Sequence, residues 1–359
     1  MKNQPDYRLF AAGAKLFDAA MQGAAERVPV FAQIHEFAVQ ELGVAPTEFY
    51  SSPAWLTDGN LAVFQKYGLD LAYVDYDVYN IEAEALGQKL HWPERGTPVT
   101  DDSTPLVAGP DDLQKIKTPN FARAGRCPQI IQAQHRFREL TGVEPALGFC
   151  APFSLAAGGR GIERLLFDIY DNPSFAGELF DRLTEEVLAP WILYQQEQFP
   201  QATSVAGSDA TSSLPIVNLD ILRDWSAPYI LRLREWCGAG VHVPNWVGER
   251  FCRHPADLLD LKLTVTSTFI EGQDPDAAQL GPELYTDFAQ KHNVPLILGI
   301  GAGFLALSTP PQIEARIKQY LNVGKQWGRF ALYLCNVSAD TPPENLIAAV
   351  EAVKTHGHY

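Results

Sequence analysis

Several residues able to do chemistry stand where apolar runs of strand length give out. His35 and Glu36 follow "VFAQI", and Asp77, Tyr79 and Asn80 close or follow "AYVDYD". Asp209 follows "SVAGS", and His242 sits inside "GVHVPNW" with Asn245 and Trp246 behind it. Glu271 follows "TVTSTFI", and Cys335 and Asn336 follow "RFALYL". An imidazole beside carboxylates can position a substrate or relay a proton, which is the work expected of His35, Glu36 and Asp209. One His, one Glu and one Cys on three strands can hold a catalytic zinc with an open position, which makes His242, Glu271 and Cys335 the candidate ligands. Asp77, Tyr79, Asn80, Phe149, Asn245 and Trp246 are the expected substrate contacts, and their aromatic rings suit a flat aromatic molecule. Each position also has a packing explanation. His242 could be a hydrogen-bonded core histidine, Glu271 an exposed residue ahead of the "GQDPD" turn, and Cys335 a small hydrophobe at the end of a buried strand.

The elements that must carry these residues alternate along the chain. Strands are expected over 28–34, 69–77, 146–152, 202–209, 240–246, 263–272, 294–303 and 329–336, with helical patterns over 52–68, 161–199 (broken near Pro173), 218–238, 281–293 and 309–324. Ser52 reads as an N-cap and Gly68 as a helix stop. Strands alternating with helices at this spacing indicate parallel βα units, and about eight of them predict a (β/α)8 TIM barrel, with an open doubly wound sheet as the alternative. The chain is expected to be one barrel domain, 1–359, with an N-terminal helical extension and a long surface excursion near 90–120, where Pro, Asp and Thr crowd the sequence. Barrel chemistry collects at the C-terminal ends of strands, which is where the residues above fall. "GIGAG" (299–303) lacks the helix-opening third glycine of a dinucleotide loop, and no P-loop pattern is present.

Composition narrows the partners. Formal charge is -15, with 43 acidic residues against 28 Lys and Arg. That balance argues against nucleic acid or an anionic membrane, and against a polyanionic substrate unless arginines cluster locally. No apolar run approaches the roughly 20 residues that span a bilayer. The first 23 residues read as an amphipathic helix rather than a signal peptide. Five scattered cysteines without a CxxC pair fit a reducing, cytoplasmic setting.

Three segments, "GFCAPFSLA" (148–156), "LLFDIYDNPSFAGELFDRLTEEV" (165–187) and "DTPPENLIAAVEAVKTHG" (340–357), resemble signatures of the uroporphyrinogen decarboxylase superfamily, in the same order and at fitting spacing. "GLDLAYVDYDVYNIEAEALGQKL" (68–90) is similar to the second-strand segment of the superfamily's methyltransferase-type members. The resemblance covers nearly the whole chain and implies a (β/α)8 barrel with its site at the strand C-termini.

The resemblance also implies a branch. The decarboxylases carry an Arg-Gln-Ala-Gly-Arg-like segment after the first strand, whereas this chain has "AQIHEFAVQ" (32–40), without arginine. Carboxylates in a site need Arg or Lys partners. Where the decarboxylases have a histidine before the "TPxEN" signature, this chain has Cys335. The other branch comprises corrinoid-dependent methyltransferases, several of which bind zinc through a His-x-Cys pair and a last-strand Cys, with a carboxylate able to join. His242, Glu271 and Cys335 match that pattern, but Pro244 stands where the pair's cysteine belongs. The implied function is methyl transfer between a small methylated donor, such as a methoxylated aromatic (O-demethylation), and the cobalt of cobalamin. No D-x-H-x-x-G pattern appears, so the cobalamin is expected on a separate corrinoid protein. A homodimer is left open. The alternatives are a lyase acting on a small carboxylic acid and a barrel that binds without turnover.

Overall fold

The computed structural model describes residues 6–359, so Met1–Pro5 of the expected first helix lie outside the described residues. The rest of that helix forms as Leu9–Gln22 and stops at Gly23 in the left-handed conformation. The chain sorts into two compact units. One comprises Met1–Tyr76, Ala133–Val143 and Thr268–Tyr359, and the other comprises Asp77–Gln132 and Glu144–Ser267.

The first unit is built on a parallel four-stranded sheet in the order β1 (Val30–Ala32), β9 (Phe330–Leu334), β8 (Leu296–Ile300), β7 (Ile270–Gln273). The first strand of the chain pairs with the last, Val30 opposite Leu332, as closure of a barrel requires. Side chains alternate across the sheet. One face carries Val30, Ala32, Leu332, Leu334, Leu298, Ile300 and Ile270, all fully buried. Helices pack there so closely that a Cβ at Gly272 would lie 2.4 Å from the ring of Tyr285, on the helix Pro282–His292. The opposite face carries Phe31, Gln33, Tyr333, Cys335, Glu271 and Gln273. It is polar.

The second unit holds the parallel sheet β4 (Leu147–Cys150), β5 (Val205–Ser208), β6 (Val241–His242). It also contains the excursion, where β2 (Leu90–His91) and β3 (Val99–Thr100) form a short antiparallel ladder. Pro173 breaks the helical stretch as expected, ending one helix at Asp171 and opening the next. Ser52 accepts from the backbone N–H of Trp55, and Gly68 turns the chain with φ 67°.

Two strand expectations need correction. Over 69–77 no strand forms, although Asp70 donates its N–H to the Val30 carbonyl. The reason is local: the Asp70 side chain accepts from Val30 N, and the Asp75 side chain accepts from Ile34 N and His35 N. Carboxylates thus take donors that a neighbouring strand's carbonyls would have received. Over 263–272, residues 263–266 finish the helix Pro255–Thr266, and only Ile270–Gln273 is a strand. Packing of the helix overrides the β preference of "LTVT". Among the described residues no helix is long and apolar enough to cross a membrane.

Candidate active site

On the polar face of the first unit, the register sets Phe31, Tyr333, Gly299 and Gln273 in one row, and Ala331, Ile297 and Glu271 in the row before it. Phe31 stacks on Tyr333 with ring centroids 4.8 Å apart. Cys335 follows β9, its N–H held by the Ile300 carbonyl at 2.9 Å, and Asn336 turns the chain with φ 46°. Gly299 leaves the gap into which the thiol leans: a Cβ there would lie 2.3 Å from Cys335 Sγ and 3.1 Å from Gln273 Cγ. Glu271 is 6% exposed and accepts from the Gln273 amide. Sequence reasoning found Glu271 and Cys335 here. It missed Gln33, Gln273 and Tyr333, which period-two alternation from those two positions would have exposed.

The stretch before Asp77 adds Tyr73 and Asp75. The Tyr73 hydroxyl donates to the Ala32 carbonyl at 2.7 Å, and Tyr333 donates to Gln33 Oε1 at 3.3 Å. Burial pushes both phenols well above their ordinary pKa, aided at Tyr73 by Asp75, Cys335 and Glu271 and at Tyr333 by Tyr73, Cys335, Glu271 and Asp75. Burial pushes the Asp75 carboxyl up to about 7, against the lowering pull of the Ile34 and His35 N–H groups and the Gln33 side chain. His35 opens the helix His35–Leu42, with Nδ1 2.7 Å from Tyr50 Oη and Nε2 3.2 Å from Gln33 Nε2. Glu36, half-buried, lies in the first turn of that helix, where a carboxylate complements the N-terminal dipole.

In the second unit Asp209 is fully buried and fully engaged. Oδ1 accepts from Ser154 N (3.0 Å) and Ser154 Oγ (2.9 Å), and Oδ2 accepts from Ser226 Oγ (2.7 Å) and Trp246 Nε1 (2.9 Å). Its own N–H is held by Asn245 Oδ1, and Asn245 Nδ2 reaches Tyr79 Oη at 3.0 Å. Four donors thus occupy the carboxyl group and tie it to residues 154, 226 and 246. Phe149 and Trp246 are fully buried, and a Cβ at Gly207 would strike the Phe149 ring. Asp77 is also sealed in: Arg126 grips it bidentately at 2.7 and 2.8 Å and reaches Glu84 at 2.6 Å. Burial works against the Arg126 charge, but the two carboxylates more than offset it and push its pKa up. Asn80 donates to Asp77 and to the Pro98 carbonyl, anchoring the excursion. Of the six expected substrate contacts, Tyr79 and Asn245 stay half-buried.

His242 Nδ1 lies 2.8 Å from the Gly240 carbonyl, which fixes the proton on Nδ1 and makes Nε2 the acceptor. Burial pushes its pKa down, so the neutral ring is favoured. That tautomer suits a metal ligand. Among the described residues no group of three or more His, Cys, Asp and Glu side chains is placed to hold a metal ion.

The βα order and the pairing of first strand with last define a TIM-barrel-like α/β protein. A methyltransferase from Methanosarcina mazei has the same fold, with a TM-score of 0.75 at 18% identity, covering 94% of this chain and 96% of that one. Residues 13–356 match the family model of uroporphyrinogen decarboxylase (URO-D), and the chain belongs to that family. Among curated relatives, the uroporphyrinogen decarboxylase of Anaeromyxobacter sp. (strain Fw109-5) is 26% identical over 199 residues, 52% of this chain and 55% of that protein. The chain thus spans about half the length of that relative. The methylated-thiol–coenzyme M methyltransferase of Methanosarcina mazei is 25% identical over 308 residues, 83% of this chain and 76% of that protein.

Proposed function

We propose that this protein is a methyltransferase that moves a methyl group between a small methylated donor, of the methoxylated aromatic class, and the cobalt of a corrinoid carried by a separate protein. The observation that carries the reading is the polar face of the first unit, which gathers a thiol, carboxyls, phenols and amides without an arginine among them. Arg126 is the one buried arginine among the described residues, and Asp77 and Glu84 already hold it. A substrate bearing several carboxylates therefore lacks the cations it needs. The likeness to a methyltransferase over 83% of the chain, against 52% for a decarboxylase, supports the same branch.

The docked corrinoid supplies the electron pair that takes the methyl group. The chain's own residues bind and orient the donor and manage the proton that its heteroatom needs on leaving. His35 and Glu36, where β1 gives way to its helix, share these two tasks, orienting the donor and handling the proton, and Asp209 holds the second unit's loops in register. The test is incubation of the protein with a methoxylated aromatic and a reduced corrinoid protein, following methylated corrinoid by absorbance. Glu36→Gln is expected to lower kcat by roughly 10²–10⁴-fold, the usual loss of a positioned acid or base. Release of carbon dioxide from a small carboxylic acid without any corrinoid protein overturns the reading.

A further inference from the structure

The side chains around Gln33 can be read as a single hydrogen-bonding unit, and its donor directions are constrained. Tyr333 Oη lies 3.3 Å from Gln33 Oε1. A phenol that burial keeps protonated has a hydrogen to give, and an amide oxygen can only accept it. With Oε1 toward Tyr333 and Nε2 toward His35, the Gln33 amide directs its two N–H bonds away from Tyr333. One neighbour of the Gln33 side chain is the Asp75 carboxyl, which accepts. The other is His35 Nε2, 3.2 Å from Gln33 Nε2. A nitrogen facing an N–H donor must present a lone pair, so the ring proton belongs on Nδ1, which meets Tyr50 Oη at 2.7 Å. An imidazolium would set N–H against N–H. Asp75 ties the arrangement to the backbone, since its Oδ2 also holds the N–H groups of Ile34 and His35.

We propose that Gln33 and Asp75 hold His35 as the neutral Nδ1–H tautomer, which makes Asp75 a positioning residue that acts on His35 through the Gln33 amide and the helix start. His35 then serves as a fixed, uncharged element of the site, and the proton step of the proposed reaction falls to Glu36. This last consequence rests on the methyl-transfer reading, whereas the tautomer does not.

The test is two-dimensional NMR of the ¹⁵N-labelled full chain, with His35 assigned by its loss in His35→Gln. The expected wild-type pattern shows Nδ1 in the protonated range and Nε2 in the unprotonated range at neutral pH. In Gln33→Leu and Asp75→Asn, checked for folding by circular dichroism, the expected result is a shift of both nitrogens toward tautomer exchange or protonation. A wild-type Nε2–H tautomer overturns the proposal. So does an unchanged His35 pattern in both folded variants. If both variants fail to fold, the wild-type pattern alone decides. Loss of the predicted tautomer in a protein that still transfers methyl groups defeats this inference only, and an intact tautomer without methyl transfer defeats the functional reading only.

Discussion

At the scale of single residues, what surrounds a group decides its role more than its type does. Asp209 and Asp75 are both buried aspartates near strand ends, yet Asp209 receives two donors on each oxygen, while burial pushes the Asp75 carboxyl up to about 7. Asp209→Ala strands the N–H and hydroxyl of Ser154, the Ser226 hydroxyl and the Trp246 indole inside the protein. Unsatisfied buried donors cost about 1–3 kcal/mol each, though their costs do not add. The variant is therefore expected to lose about 3–5 kcal/mol in urea denaturation, or to fail to fold. Unchanged stability with lost turnover would return Asp209 to the catalytic list. None of this was legible from "SVAGSD", because its donors come from residues 154, 226 and 246, far away in sequence.

At the scale of elements, the polar face depends on a missing side chain. β8 runs between β9 and β7, and Gly299 lets the Cys335 thiol and Gln273 approach over it. A Cβ 2.3 Å from Sγ cannot be accommodated without displacing the thiol or the strand. Gly299→Ala is expected to destabilise by about 1–3 kcal/mol, as overpacking typically does. Thiol titration of the folded protein would also show changed Cys335 reactivity, read against a Cys335→Ser control. Wild-type stability and an unaltered thiol would show that the face is looser than described. β1, β8 and β9 were readable as apolar runs of strand length, whereas the strand expected over 263–272 forms only at Ile270–Gln273. The irregular 70–76 segment was not, since its hydrogen bonds go to carboxylates rather than to a ladder.

At the scale of the whole molecule, stability should carry the signature of a buried acid. Glu82 is fully buried, with Oε1 held by Cys150 N and no partner on Oε2 among the described residues, and burial pushes its pKa up from 4.5 to about 8. The folded state keeps a proton that the unfolded chain releases. Its contribution is fully present below about pH 4.5 and is lost as pH rises through about 8. Glu82→Gln removes that dependence. The Tm difference, variant minus wild type, is expected to grow more positive from pH 5 to pH 9. A difference flat across that range would mean that Glu82 ionises normally.

The sequence by itself determined the βα order, the barrel-type closure expected from it, the family, and the short list of strand ends where chemistry could sit. These follow from local patterning and from motifs that survive without knowledge of contacts. Tertiary structure alone decided which of the short-listed groups are engaged. It seals Asp77 behind Arg126, cages Asp209, and buries Phe149 and Trp246. It also brings in Gln33, Tyr73, Asp75 and Tyr333, none of which stood among the short-listed residues. The physical reason is the same throughout. A side chain's protonation and freedom are set by burial and by partners, and many of those partners lie tens to hundreds of positions away along the chain.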